Sequence, residues 1–323
     1  MNRRQFLINT LAAAGTTLAA GPLISACTKK APVPEVALVA CPGYPEAKSA
    51  LEKAWLLLAG KPAIRGKKVL LKPNLIDYQE GMVINTDVAV IEAAILLLKD
   101  LGAGAVIVGE GSANRRDSRF LLEKSGLGKV LERHNIPFVD LNYDRVKEVA
   151  LKVNSGGLGK LYLPQTALDA EVFVTIPKLK AHHWAGATLA MKNMFGVVPG
   201  VVYGWPKNIL HWRNLYKLMV DLVATLPPHL CLIDGVIGME GNGPLHGPAK
   251  KSGLLVLGNN ALSTDVAGLH LMGFNPLRLA NIIHAYEANL GEMELEKIKI
   301  RGEKISTLAR NYQPPPGFEL LTK

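Results

Sequence analysis

Three lysines and two histidines crowd into "PKLKAHHWAGATLAMKN", residues 177–193, directly after the apolar run "AEVFVTI". Ammonium groups gathered in this way neutralise a carboxylate or phosphate, and imidazole is the side chain that exchanges a proton near neutral pH without assistance. His182, His183 and Lys178 are therefore candidate catalytic groups, and Lys180, Lys192 and Asn193 candidate contacts to an anionic small molecule. Adjacent residues of an extended chain face opposite ways, so at most one of His182 and His183 is expected to point into a site.

Other polar residues stand just past apolar runs. Lys72 and Asn74 follow "KKVLL", Glu110 and Ser112 follow "GAVIVG", and Asn242 lies in "IDGVIGMEGNGPLHG". That last stretch also offers Asp234, Glu240 and His246, whose oxygens and imidazole suit a divalent metal as an unidentified cofactor. Their spacing matches no metal motif, and a glycine-rich loop with Asp234 capping a turn is the competing reading. "GEGSAN" at 109–114 carries half of a dinucleotide fingerprint, with Asn114 where the third glycine belongs; a tight strand-to-helix turn accounts for it equally. There is no phosphate loop, HExxH or Gly-x-Ser-x-Gly. His211, in "HWRNLYKLM", lies near enough in sequence to close over the histidine segment.

Apolar runs alternating with helical patterns must position these groups. The strand candidates are "EVALVAC", "KKVLLKPN", "GAVIVGEG", "IPFVDLN", "AEVFVTIPK", "LCLIDGV" and "GLLVLGNN". Between them lie amphipathic stretches such as "TDVAVIEAAILLLKDLGAG", with Thr86 or Asp87 as N-cap and Gly102 as its stop. The expected fold class is α/β, a mostly parallel sheet with helices on both faces. In such sheets ligands sit outside the carboxyl ends of the strands, where the polar residues fall. "EVALKVNSGGLGKLYLP" is either a domain boundary or a small hairpin excursion, and "NYQPPPGFELLTK" reads as an extended surface tail.

Composition narrows the partners. The 323-residue chain is 49% hydrophobic and 6% aromatic, with a net charge of +10. No basic run is interleaved with aromatics, which argues against nucleic acid; the excess charge suits an anionic small molecule or an anionic membrane surface. Three cysteines, Cys27, Cys41 and Cys231, are too few for a cysteine-held iron–sulfur cluster. Cys41 and Cys231 are expected as free thiols, a pair being the alternative. The opening "MNRRQFLINTLAAAGTTLAAGPLISAC" reads as an export signal over residues 1–26. Arg3 and Arg4 resemble a twin-arginine signal, and "LISAC" resembles a lipobox. The chain is thus expected to be exported by the twin-arginine pathway and lipid-anchored at Cys27 on the periplasmic or extracytoplasmic side. A plain signal-peptidase site and an N-terminal anchor helix are the competing readings. Residues 27–35 are expected to form a tether, 36–310 the α/β domain and 311–323 the tail.

"VLLKPNL", "NTDVAVIEAAI", "VIVGEGS", "VTIPKLKAHHWAGATLAMKNMFGVVPG", "LCLIDGVIGMEGNGPLHG" and "NNALSTDVAG" together resemble the DUF362 family, over roughly residues 36–290. Many members carry a ferredoxin-like cysteine region that is missing here. The family is in turn remotely similar to the amino-terminal region of lactate racemase, which binds a nickel-pincer nucleotide through lysine and histidine. The resemblance implies an anionic substrate, a lysine-rich pocket and imidazoles for proton or hydride work. Two classes of function follow: an exported enzyme dependent on a metal or organic cofactor, of racemase, isomerase or redox type, or a surface-tethered anion-binding protein without chemistry.

Overall fold

The computed structural model describes residues 33–113, 117–205 and 207–323, the side chains of 208 and 209 excepted. The expected signal, the anchor Cys27 and Asn114 lie outside the described residues. Ten strands form the main sheet: β1 (Glu35–Ala40), β2 (Lys68–Pro73), β3 (Ala105–Glu110), β4 (Phe138–Asp140), β7 (Val172–Ile176), β8 (Lys178–His182), β9 (Gly186–Thr188), β10 (Leu230–Met239), β11 (Ala249–Gly258) and β12 (Lys299–Gly302). Their order is β12-β1-β11-β10-β7-β2-β3-β4, with β8 and β9 branching from β10. β5 (Val146–Ala150) and β6 (Lys160–Pro164) make a separate antiparallel hairpin, the second of the two readings of the glycine-rich stretch. The sheet is largely parallel; β11 runs antiparallel to both β1 and β10, and β8 to β9.

Strand alternation divides the apolar residues between two cores. Val69, Leu71, Val172, Val174, Leu230 and Leu232 pack against α1 (Ala47–Leu57), α2 (Val88–Asp100), α3 (Ser118–Ser125) and α4 (Leu127–Arg133). Leu70, Phe173, Cys231 and Ile233 pack against α5 (Leu215–Thr225), α6 (Ala261–Met272) and α7 (Ala280–Glu287). Helices thus cover both faces, as the near-continuous apolar strands require. Asp87 is the N-cap of α2 and accepts from the Ala89 N–H at 2.9 Å. Gly126 separates α3 from α4, and its φ of 78° lies in the left-handed region that a β-carbon disfavours. Cys41 and Cys231 are buried free thiols. The tail is docked rather than free on the surface: Tyr312 and Leu321 are buried, and the Tyr312 hydroxyl meets Ser252 Oγ at 2.8 Å.

β7 and β8 are one extended run broken at Pro177. Proline has no N–H for a ladder, and here its carbonyl accepts from Asp234 N–H at 2.9 Å. β10 therefore pairs first with β7 at Leu230–Cys231 and then with β8 at Asp234 and Met239. This register sets Lys178 beside Asp234, and their side chains form an ion pair of 2.7 Å, 1% and 0% exposed. Lys178 Nζ also donates to the Tyr44 hydroxyl at 2.8 Å, and Asp234 Oδ2 accepts the Asp87 N–H at 2.9 Å. Lys178 is therefore a lock in the fold rather than a catalytic group on the cavity, and Asp234 is its counter-ion rather than a metal ligand. Two ions taken out of water depend on each other, and removing one leaves the other buried and uncompensated. Lys178→Gln is expected to cost about 3–5 kcal/mol in a urea melt, and Lys178→Met combined with Asp234→Asn to recover part of that loss.

Candidate functional site

β2 and β3 are adjacent and parallel, and their carboxyl ends, with the end of β8, open onto a cavity of about 160 Å³. The register pairs Lys72 with Thr175 and Leu71 with Val108, so Lys72 and Glu110 emerge next to each other. Lys72 points to the same sheet face as Leu70, which is the face closed by residues 190–198. Its ammonium donates to Glu110 Oε2 at 2.7 Å, to the Pro73 carbonyl at 2.9 Å and to Asn193 Oδ1 at 3.2 Å. Glu110 accepts in addition from Leu75 N–H and Gly111 N–H. The pair is 0% and 3% exposed. Burial lowers the Lys72 pKa, and Glu110 pulls it back up.

Asn193 holds the far side. Its amide donates to Thr175 Oγ1 at 2.9 Å, and its Oδ1 accepts from Asn74 Nδ2 at 3.0 Å. It belongs to the one-turn helix Ala190–Asn193, whose first two N–H groups donate to Asp265 on α6, at 2.7 and 3.0 Å. Burial raises the Asp265 pKa to about 7, against the pull of those two donors. The same turn presents Lys192 to the cavity. Among the described residues its ammonium makes no hydrogen bond or ion pair; it rides over the Phe195 ring at 4.9 Å. Burial, then the charge on Lys72, lowers its pKa to about 8. Lys207 lines the cavity as well, donating to the Gly111 and Phe195 carbonyls at 2.9 Å each. Its pKa falls to about 7, chiefly through burial.

The opposite wall is imidazole. His182, His183 and His211 all line the cavity, together with Trp184. The expectation that only one of the two adjacent histidines faces the site does not hold. β8 ends at His182 and the chain turns through Ala185 N–H to the His182 carbonyl, so strand alternation no longer applies. The His182 and His183 rings lie 5.2 Å apart. Hydrogen bonds fix their proton positions. His182 Nδ1 accepts from Trp184 N–H at 3.0 Å, which leaves the ring proton on Nε2. His211 Nδ1 meets the Lys207 carbonyl at 3.0 Å and must donate, leaving Nε2 as a bare acceptor. Burial, then Lys192, holds His182 well below its usual pKa and His211 at about 4. Near neutral pH these two rings are a donor and an acceptor of opposite polarity.

Among the described residues, two buried polar atoms of the lining have no partner: Asn74 Oδ1 and Thr188 Oγ1, in residues 5% and 2% exposed. An unsatisfied buried polar atom costs about 1–3 kcal/mol, and such atoms at a cavity wall are where a ligand's own polar groups fit.

Of the candidates from the sequence, the cavity gathers Lys72, Asn74, Glu110, His182, His183, Lys192 and Asn193. Lys180 lies beneath it, fully buried, with its amine between the carbonyls of Ile84 and Pro244. Burial, then Lys178, lowers its pKa strongly. Ser112 is buried beside the lining, its carbonyl accepting from Asn142. Asn242 and His246 face a separate surface hollow with Gln313 and Glu319. Glu240 pairs with Lys250 at 3.1 Å and accepts from Gln313 N–H. Asp234, Glu240 and His246 are thus dispersed, and among the described residues no three His, Cys, Asp or Glu side chains are arranged to hold a metal ion. Lys207, Thr188 and Phe195 were not foreseen. Lys207 follows "YGWP", has a left-handed φ of 67°, and carries no periodic or motif signal.

Fold and site define an α/β protein with a cation-rich, imidazole-walled cavity at the carboxyl edge of its sheet. Residues 69–270 match the family described as domain of unknown function DUF362, and the chain belongs to it. It is 29% identical over 220 residues to the thylakoid-associated protein sll1697 of Synechocystis, an alignment covering 65% of this chain and 64% of that protein. Among solved structures it is similar to the lactate racemase apoprotein of Thermoanaerobacterium thermosaccharolyticum. There the TM-score is 0.40 at 12% identity, over 67% of this chain and 54% of that one. A Thermotoga maritima crystal structure gives a TM-score of 0.38 at 12% identity, over 77% and 59%. Superpositions this loose say nothing about the site.

The dependence of the Lys192 turn on Asp265 is open to measurement. Asp265→Ala orphans two buried N–H groups and is expected to lower stability by about 1–3 kcal/mol for each in a denaturant melt. Asp265→Asn, which keeps one acceptor oxygen, should lose less.

Proposed function

We propose that this protein is an enzyme that binds a small carboxylate or phosphate compound in the cavity and moves a proton on it, in the manner of an isomerase or racemase. The observation that carries the reading is the Lys192 ammonium, which lines the cavity with no ion-pair partner among the described residues, beside two imidazoles of opposite hydrogen-bonding polarity. Lys72 is already neutralised by Glu110, so Lys192 and Lys207 supply the free positive charge. An anion placed there gains Coulombic energy in a medium less polar than water and relieves like-charge repulsion. His211 Nε2 is suited to take a proton and His182 Nε2–H to give one. Asn74 Oδ1 calls for a donor on the ligand, such as a hydroxyl or amine. An organic cofactor or a metal brought with the ligand is compatible with this scheme.

Anion binding sets a pH dependence. Binding needs charged lysines, so it should weaken as the pH rises through about 7 and about 8, where Lys207 and Lys192 lose their protons. In the empty protein the sign is opposite. Lys192 titrates at about 8 when folded but at about 10.4 when unfolded. The unfolded chain therefore binds more protons between those values, and stability rises with pH across that window. Lys192→Gln is expected to preserve or raise the melting temperature without ligand, to flatten the rise above pH 8, and to abolish the stabilisation by phosphate, sulfate or acetate. Lys160, on the exposed hairpin, is the control: Lys160→Gln should change stability by no more than about half a kcal/mol and leave the anion response intact. Melts of Lys192→Gln that match the control would set the anion site aside. Deuterium uptake from solvent at the α-carbon of small carboxylates, lost in His211→Gln, would test the proton transfer itself. A protein that takes up anions but exchanges no proton would be the non-catalytic binder.

We propose further that the chain is exported through its paired arginines and anchored by lipid at Cys27. The composition of residues 1–27 supports this, and the thylakoid association of the Synechocystis relative is in keeping with a membrane surface. Cys27→Ala is expected to move the mature chain from the membrane to the soluble fraction, and Arg3→Lys with Arg4→Lys to stop export. Membrane retention of the Cys27 variant would point to a signal-peptidase site or an anchor helix.

A further inference from the structure

The cavity holds three lysine amines in different states. Lys72 donates to three oxygens, so all its N–H bonds are used and no lone pair is free. Lys207 is fixed between two backbone carbonyls. Among the described residues Lys192 has neither hydrogen bond nor ion pair, only the face of Phe195. It is the lining amine free to turn a lone pair toward a bound molecule. We propose that Lys192 forms an imine with an aldehyde or ketone that also carries an anionic group, and that this class of compound is the natural ligand of the cavity. The proposal rests on the anion-binding reading above.

The neighbours fit each part of the step. Lys207 holds the anionic group: the Gly111 and Phe195 carbonyls fix its nitrogen in place while Lys192 reacts, and an anion bound beside it favours its charged form. The uncharged Lys192 amine attacks the carbonyl carbon, and the C=O π electrons move to oxygen. His182 Nε2–H is the proton donor for that oxygen. The bare Nε2 of His211 accepts the proton released from the attacking nitrogen. The resulting carbinolamine has a hydroxyl to offer Asn74 Oδ1, the buried acceptor with no partner. That hydroxyl leaves as water by taking the proton held on His211, which gives the iminium, and His182 regains its proton from solvent; amine, carbonyl and one solvent proton thus become iminium and water, with no oxidant or reductant involved. The iminium then draws electrons from the adjacent carbon and makes its proton removable, which joins the step to proton transfer. With a pKa of about 8, roughly a tenth of Lys192 is free amine at pH 7, about two hundredfold more than at the unperturbed lysine value of about 10.4.

Glyoxylate, the smallest such compound, is the probe, with cyanoborohydride to reduce the imine on the full-length protein near neutral pH. Peptide mass mapping is expected to find one carboxymethyl group per chain, on Lys192, formed at least about tenfold faster than on Lys147. Phosphate should slow it, Lys207→Gln should slow it, and His182→Gln should slow it without shifting its position. Lys192→Arg keeps the charge and should lose the adduct while keeping the phosphate-induced rise in melting temperature; this covers the case in which Lys192→Gln fails to fold. Modification of Lys192 no faster than Lys147 overturns the imine. If phosphate still stabilises the parent protein in that case, the anion site stands and only the covalent step is lost. If phosphate has no effect either, both readings fall together.

Discussion

Lys72 and Glu110 meet at 2.7 Å with almost no contact with solvent, and the arrangement of the whole carboxyl edge follows from keeping them so. Two such charges each lose several kcal/mol of hydration when buried, and their attraction recovers this only if every remaining donor and acceptor finds a partner. Here they do. The ammonium uses Pro73 and Asn193, and the carboxylate uses the N–H groups of Leu75 and Gly111. Those partners come from β2, from β3 and from the turn at 190–193, so satisfying the pair fixes three segments relative to one another. A hydrophobic pair of similar volume would serve the fold as well or better. Its presence at the cavity wall points to a function for the charge, and after burial the charge on Lys72 lowers the proton affinity of Lys192.

The same low-polarity surroundings explain why the site's bases are poised where they are. Desolvation is the first cause of the lowered proton affinity of Lys192, Lys207, His182 and His211 alike. One physical term therefore prepares a lysine to act as amine and two imidazoles to stay uncharged. The like charges nearby add to it, which is why an incoming anion would act on several groups at once rather than on a single partner.

Much of this was legible in the sequence because it rests on strand ends. Apolar runs of five or six residues gave the seven principal strands, and the carboxyl-edge rule placed Lys72, Asn74 and Glu110 on the cavity. The rule failed where polarity at a strand end serves the interior. Lys178 and Lys192 look alike in sequence, yet the register of β8 on β10 turns the first onto Asp234 while the turn at 190–193 leaves the second unpaired. Register and pairing are long-range facts, and the partner of Lys178 lies 56 positions away. Asp234, Glu240 and His246 failed for the same reason: neighbours in sequence along a ten-residue strand and its loop, they are drawn to different partners. Lys207 had no signal, since its place comes from backbone carbonyls at Gly111 and Phe195.

Gly196 lies against both members of the buried pair. A β-carbon there would overlap Glu110 Oε1 and approach Lys72 Nζ and Cε within about 2.5 Å. Its φ is not in the left-handed region, so the backbone would accept alanine; it is the occupied space that would not. The present placement of the two charges thus depends on a third position, itself without any functional group, staying bare. A single methyl group could exchange a polar wall for an apolar one by displacing the pair, with no change at either charged residue. The identity of residue 196 is in that sense part of the site's electrostatics, and a comparison of family members that scored only the charged positions would miss it.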